Sequence, residues 1–282
     1  MNPYALLLLL GAGWGLTQPL MKIATGAGHG PLGLLFWQVV LIPLLLAPLA
    51  LRGGRPERKG AALRFAAVVA LLGVLVPNGA SYVAVSVMPA GIVSILLALV
   101  PIVALPMAVV LGLEKARPLR LAGVALGAVG VLVLLAPGAV SFDAALIPLG
   151  LIAPLCYAGQ ANLIAKMGTF GLRPEQLMAL ASLIAVPLAL PLALRSGFVD
   201  PFRPWDVGIW AFLLATAVHA AVYCAYVALL RREGPVFATQ VTYVVTGAGV
   251  VWAMMLLGER YGIAAWAGLG LILCGIALVR RA

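Results

Sequence analysis

The sequence predicts an all-α polytopic membrane protein, with ten transmembrane helices as two inverted five-helix repeats and both N- and C-termini cytoplasmic. Three observations predict it. Residues 65–113 run 49 positions without Asp, Glu, Lys or Arg, more than twice the roughly 20 apolar residues that one spanning helix needs. Basic residues alternate between heavy and light from loop to loop, and the two halves of the chain share a register of like residues. Composition agrees: 64% hydrophobic, 9% charged and a mean hydropathy of +1.15 belong to the membrane class, with only short connections between spans.

The uncharged runs give the elements in order. Span 1 is 1–21 and span 2 is 23–51. The run 65–113 folds back at Ser86-Val87-Met88-Pro89-Ala90-Gly91 to make spans 3 and 4. Runs 121–142, 144–165, 176–194, 207–230, 234–258 and 261–279 supply spans 5 to 10. No cleavable leader is expected, because Met1-Asn2-Pro3-Tyr4 has no basic residue and the first run continues into Thr17 and Gln18. Cys156, Cys224 and Cys274 fall in three different spans without metal-ligand spacing, so they read as small core residues.

The net charge of +10 orients the chain. With the N-terminus inside, 14 of the 18 basic residues face the cytoplasm, among them Arg52, Arg55, Arg58, Lys59 and Arg64. Only Lys22, Arg195, Arg203 and Arg260 lie opposite. This is the asymmetry expected of short loops, so the basicity marks topology and not a nucleic-acid site.

An offset of 144 pairs Gly15 with Gly159, Gln18 with Asn162, Lys22 with Lys166, and Tyr82-Val83-Ala84 with Tyr226-Val227-Ala228. An offset of 145 pairs Glu114 with Glu259, Gly123 with Gly268 and Gly130 with Gly275. The halves, 1–137 and 138–282, then hold five spans each. Five is odd, so the second half enters the membrane from the opposite side, an arrangement used by transporters with a mid-membrane site.

Trp14-Gly15 with Lys22, Pro101, Gly112-Leu113-Glu114 and the Gly-rich span that follows form an ordered pattern, and Leu257-Gly258-Glu259 before the Gly-rich last span repeats its end. Together they resemble the drug/metabolite transporter superfamily, specifically its EamA-type ten-helix members, and among these the YddG-type exporters of amino acids and related metabolites. The resemblance implies a central cavity lined by spans 1, 3, 4, 6, 8 and 9, open alternately to each side, with spans 5 and 10 as scaffold. The residues themselves agree about the scaffold: Gly123 and Gly127 form a small-xxx-small pattern, and span 10 carries Gly262, Gly268, Gly270 and Gly275.

Polar groups at membrane depth are costly without partners, so each is a candidate for lining a path. Candidate substrate-binding residues are Trp14 and Gln18 in span 1, Asn78 and Tyr82 in span 3, and Tyr157 and Gln160 in span 6. Span 8 adds His219 and Tyr223, between Thr216 and Tyr226 on one stripe, and span 9 adds Thr239 and Tyr243. Each has a plainer alternative: Ser, Thr and Asn bond to neighbouring helices or their own backbone, Trp14 packs, and Tyr4 and Tyr261 anchor at the interface. His219 is either a proton carrier or a neutral, hydrogen-bonded core imidazole. Lys22 and Lys166 lie near span ends as gate cations or carbonyl partners, and Glu114 and Glu259 as gate or loop anchors paired with Lys115, Arg117 or Arg260. Pro77 and Pro101 are the expected hinges of spans 3 and 4.

The functional expectation is a secondary transporter exporting small organic metabolites, amino acids with aromatic and hydrophobic side chains included, across the bacterial inner membrane by alternating access. The alternatives are an exporter or importer of a purine, sugar derivative, organic cation or drug, a channel, and an integral membrane enzyme. Asp143, Asp200 and Asp206 are scattered in loops instead of forming an Asp-rich magnesium site, and there is no Gly-x-Ser-Gly nucleophile, which disfavours the enzyme. No metal and no cofactor are expected. The expected partners are a small-molecule substrate and the lipid bilayer, with no nucleic acid and no oligomer required.

Overall fold

The computed structural model describes residues 2–54, 56, 58–134, 143–197, 199–200, 205–233 and 241–281. Every regular element among the described residues is helical. In chain order they are α1 (Pro3–Gly26), α2 (Pro31–Ala50), α3 (Lys59–Val87), α4 (Ala90–Val110), α5 (Pro118–Leu134), α6 (Ile147–Met167), α7 (Pro174–Ser196), α8 (Val207–Glu233), α9 (Val241–Leu257) and α10 (Ile263–Arg281). Among the described residues seven helices, α1–α4 and α6–α8, are long and apolar enough to cross a membrane; α5, α9 and α10 are shorter apolar helices. The repeat boundary expected at 137 and 138 lies outside the described residues.

Local chemistry sets the helix starts. The Asn2 side chain accepts from the Tyr4 N–H at 2.9 Å, and Pro3 takes the first position, where no N–H is needed. Proline also opens α2, α6 and α7. The predicted fold-back falls where expected: α3 ends at Val87, Met88 is extended with ψ 159°, and α4 begins at Ala90. Most helices run past their uncharged runs, α3 and α1 by the most. Helix α3 starts at Lys59, before the uncharged run, and α1 passes Lys22 to end at Gly26. Breaking hydrogen bonds in lipid costs more than carrying a long cation whose head reaches the interface or a carbonyl.

Both expected hinges are real irregularities. Residues Ala70–Leu75 of α3 form a π turn, with the Val76 N–H reaching back to Leu71 O, just before Pro77. In α4 the helix tightens at Ala98 and Leu99, whose N–H groups bond Ile95 O and Leu96 O, and resumes at Val100 with Pro101 second. Each proline thus sits where the regular ladder has already changed pitch.

Helices α5 and α10 pack backbone to backbone. A Cβ on Gly130 would lie 2.8 Å from Gly268 O and 2.8 Å from Ile272, while one on Gly275 would lie 2.6 Å from Gly123 O. The contact is reciprocal: Gly130 meets Gly268, and their counterparts at the 145 offset, Gly275 and Gly123, meet in turn. Helix α2 pairs with α7, and α1 packs along α8 and α9 while α6 packs along α3 and α4. The turns α1–α2, α3–α4, α7–α8 and α9–α10 gather at one end, here called distal; the N-terminus and the turn from α2 to α3 mark the proximal end.

Glycine substitutions test the close scaffold. Gly275→Val should destabilise the protein by about 1–3 kcal/mol through forced separation of the two backbones. Gly270→Ala, whose Cβ would meet nothing within 4 Å, should leave stability unchanged or raise it. Thermal unfolding in detergent distinguishes them, and equal melting temperatures for the two would contradict the packing.

Candidate functional site

The polar residues at depth assemble as two clusters. On α1 and α8, the Trp14 ring lies 5.2 Å from that of Tyr226 and 6.3 Å from that of His219, both tilted. Gln18 follows one turn further along α1. On α3 and α6, the Tyr157 hydroxyl donates to Asn78 Oδ1 at 2.5 Å, and Tyr82 lies within electrostatic reach of Tyr157. The Gln160 amide lies over the π turn, in the space a side chain at position 73 would take.

Several buried polar atoms in the spans have no hydrogen-bond partner among the described residues: Trp14 Nε1, Gln18 Oε1, Gln38 Oε1, Ser81 Oγ and Thr216 Oγ1. All but Gln38 sit on α1, α3 or α8. An unmade bond of this kind costs about 1–3 kcal/mol, so these atoms need an explanation beyond packing.

Other polar residues are structural. Thr17, Thr246, Ser86 and Ser94 bond backbone carbonyls of their own helices. The Asn162 amide donates to Ala104 O of α4 and to Ala158 O of its own helix. The Tyr223 hydroxyl turns away from His219 and donates to Pro174 O at the start of α7, at 2.9 Å. Tyr243 is half-buried against the main core. Thr239 and Gln240 lie outside the described residues.

The distal end is tied by charge. Lys22 Nζ donates to Ser86 O at 3.2 Å and Met88 O at 3.0 Å, the open carbonyls where α3 ends. It sits above the last turn of α1, because the helix continues to Gly26. The Glu259 carboxylate accepts from the Ala90 N–H at 2.7 Å and the Gly91 N–H at 3.1 Å, capping the start of α4 from the turn after α9. Tyr261 donates its hydroxyl to the same carboxylate, a second support for Glu259. Burial, and next that carboxylate, push its hydroxyl well up, so it remains a donor. Glu114 pairs with Arg120 at 2.8 Å, a residue one turn beyond the expected partners, because α5 begins at Pro118 and brings Arg120 back over it.

Two distal contacts escaped sequence reasoning. His29 Nε2 lies 2.9 Å from both oxygens of Asp206, which also accepts from the Ile209 N–H and so caps α8. Trp37 Nε1 donates to Val199 O at 2.7 Å. Nothing local marks these residues as partners, which are 177 and 162 positions apart in sequence.

Apolar spans in series, a glycine-packed scaffold and polar clusters at depth define a membrane transporter. More particularly, the EamA-like transporter family matches residues 1–136 and 145–281, and the chain belongs to that family within the drug/metabolite transporter superfamily. The uncharacterized inner membrane transporter YedA of Escherichia coli strain K12 is 32% identical over 251 residues, 84% of this chain and 76% of its own length. The YedA proteins of strains O6:H1 and O157:H7 match to the same extent. The chain is a multi-pass inner-membrane protein.

The His29 pair sets a pH dependence. The hydrogen bond from His29, then that from Ile209, hold the Asp206 carboxyl below the ordinary aspartate range. A depressed folded value stabilises at pH above the unfolded value of about 3.9 and is lost as pH falls through it. Asp206→Asn, which keeps the cap, should therefore melt lower than the parent at pH 7, with the gap closing below about pH 4. A gap that is constant with pH would show that the carboxylate charge is irrelevant.

Proposed function

We propose that this protein exports small organic metabolites, foremost amino acids with aromatic or branched apolar side chains, by alternating access between two inverted five-helix repeats, 1–137 and 138–282, with both termini cytoplasmic. In this reading all ten helices cross the membrane. The reciprocal α5–α10 contact supports it, since a contact that maps onto itself under the repeat offset is what a pseudo-two-fold axis produces.

One observation carries the substrate reading: the unpartnered donor Trp14 Nε1 and acceptor Gln18 Oε1, one turn apart on α1. A solute carrying both an acceptor and a donor satisfies the pair, and the flanking rings of Trp14, Tyr226 and His219 offer an apolar face to its side chain. On α3 and α6 the Asn78 and Tyr157 groups are neutral and already oriented by each other. The seven acidic residues among the described residues all lie at helix ends or in connections, which suits a solute without net charge.

Counterflow uptake in proteoliposomes tests this against a panel of amino acids, purines, sugars and cationic drugs. Saturable exchange of aromatic or branched amino acids is the expected result. Exchange confined to purines, sugars or cations would reassign the substrate, and single-channel currents would replace the carrier with a pore. Trp14→Phe, which keeps the ring and loses the N–H, and Gln18→Leu should each weaken half-saturation about tenfold, the effect of one lost hydrogen bond. Unchanged half-saturation in both would remove α1 from the binding site.

A further inference from the structure

The helices around the two polar clusters form two groups, α1 with α8 and α9, and α6 with α3 and α4, which the 144–145 offset maps onto each other. At the distal end three contacts join the groups. Lys22 of α1 holds the carbonyls at the end of α3. Glu259, after α9, holds the N–H groups that start α4. Beneath them Ser94 of α4 packs directly on Gly249 of α9, where a Cβ would come within 2.5 Å of Ser94 Oγ. Lys22 and Glu259 therefore grip one turn, Ser86–Gly91, from its two sides, and Lys22 feels the Glu259 charge. Gly91 leaves room for this grip: a side chain there would strike the Tyr261 hydroxyl.

The repeat-related residues at the proximal end are used differently. Lys166, the counterpart of Lys22, is exposed in the last turn of α6. Glu114, the counterpart of Glu259, is half exposed and spends its carboxylate on Arg120. Among the described residues, Lys22 and Glu259 thus join the distal ends of the two groups, while Glu114 pairs with Arg120 close by in the chain. Under the offset, the carbonyls of Ser86 and Met88 correspond to those of Leu230 and Arg232, in the last turn of α8.

We propose that Lys22 and Glu259 are the latch of the distal gate, and that Lys166 takes the equivalent place on the carbonyls of Leu230 and Arg232 when the protein opens the other way. The inference rests on the alternating-access reading and adds to it the residues that set which side is closed. Opening the distal side requires Lys22 and Glu259 to exchange backbone partners for water at the interface. Engagement of Lys166 restores bonds of the same kind at the other end. The two states then differ by an exchange of like contacts, which keeps both accessible.

The test reads access and needs no substrate. In a background with Cys156, Cys224 and Cys274 replaced by Ser, a reporter Gln18→Cys is labelled by a membrane-impermeant maleimide in right-side-out and inside-out vesicles. Lys22→Met and Glu259→Gln should each raise labelling from the right-side-out face about tenfold, as expected when a two-state equilibrium loses a hydrogen bond to a charged group. Lys22→Arg should keep the parental pattern, and Lys166→Met should leave right-side-out labelling at or below the parental rate. Unchanged right-side-out labelling in both Lys22→Met and Glu259→Gln overturns the latch. Where either variant fails to give a monodisperse protein, Tyr261→Phe is read in its place, and a rate equal to the parent again overturns it. Altered sidedness without counterflow of any solute would keep the latch and defeat the carrier reading, so the two fail separately.

Discussion

In the hydrocarbon core no water is available to bond a backbone N–H or C=O, so every departure from a continuous helix must be satisfied by protein. This chain departs from a continuous helix within α3, within α4 and at the turn between them. The π turn of α3 keeps the ladder closed ahead of Pro77 with longer-range bonds, among them that from the Val76 N–H to Leu71 O. The break in α4 uses two tighter bonds at Ala98 and Leu99 before Pro101. Between them, the Ser86–Gly91 turn leaves carbonyls from α3 and N–H groups from α4, and a lysine and a glutamate from other helices take them up. Had these groups been capped locally by Ser or Asp, the turn would be indifferent to its neighbours. Capping from a distance makes the end of one helix group depend on the position of the other.

The same constraint explains what was legible in the sequence. Uncharged runs mark helices in lipid directly, so the positions of the spans and the fold-back at 86–91 could be read from charge alone. Helix limits could not, since Lys22 and Lys59 lie inside helices: a cation with a carbonyl or the interface in reach does not end a span. Among candidate site residues, pairs sharing one face of a helix were visible, while partners across helices were not. Asn78 and Tyr157 were each picked out by polarity, yet nothing in the sequence joins them. Tyr223 belongs to the same stripe as His219 but reaches Pro174 instead, because a long side chain near the proximal end of α8 finds the start of α7. His29 and Asp206 gave no signal at all, sitting in turns where polar residues are ordinary.

Placement of charge separates holding from passage. At depth the polar groups are amides, hydroxyls, an imidazole and an indole, which a small solute can meet without either partner carrying an isolated ion into low dielectric. The ionised groups stand at the ends, where water can replace a lost partner at modest cost. This division has a kinetic consequence. A carboxylate or ammonium at the middle of the path would hold a charged solute tightly and release it slowly, whereas neutral donors and acceptors bind weakly enough for turnover. In the proposed reading selectivity rests on shape and on the count of hydrogen bonds, with Trp14 Nε1 and Gln18 Oε1 the unpartnered groups on α1 among the described residues.

Outside the two central groups, α5 pairs with α10 and α2 with α7. Helices α5 and α10 approach so closely at Gly123, Gly130, Gly268 and Gly275 that any sliding would bring a backbone carbonyl into a neighbouring chain. Helices α2 and α7 are fixed in another way: Gln176 at the start of α7 donates to Ala50 O and Gly54 O, and Trp37 of α2 donates to Val199 O beyond the other end of α7. Each of these pairs takes one helix from either half of the chain, as the two central groups also do, so contacts between the halves run through the rims and the centre alike. In the alternating-access reading proposed above the central helices tilt, and the bends in α3 and α4 are where such a tilt costs the fewest hydrogen bonds.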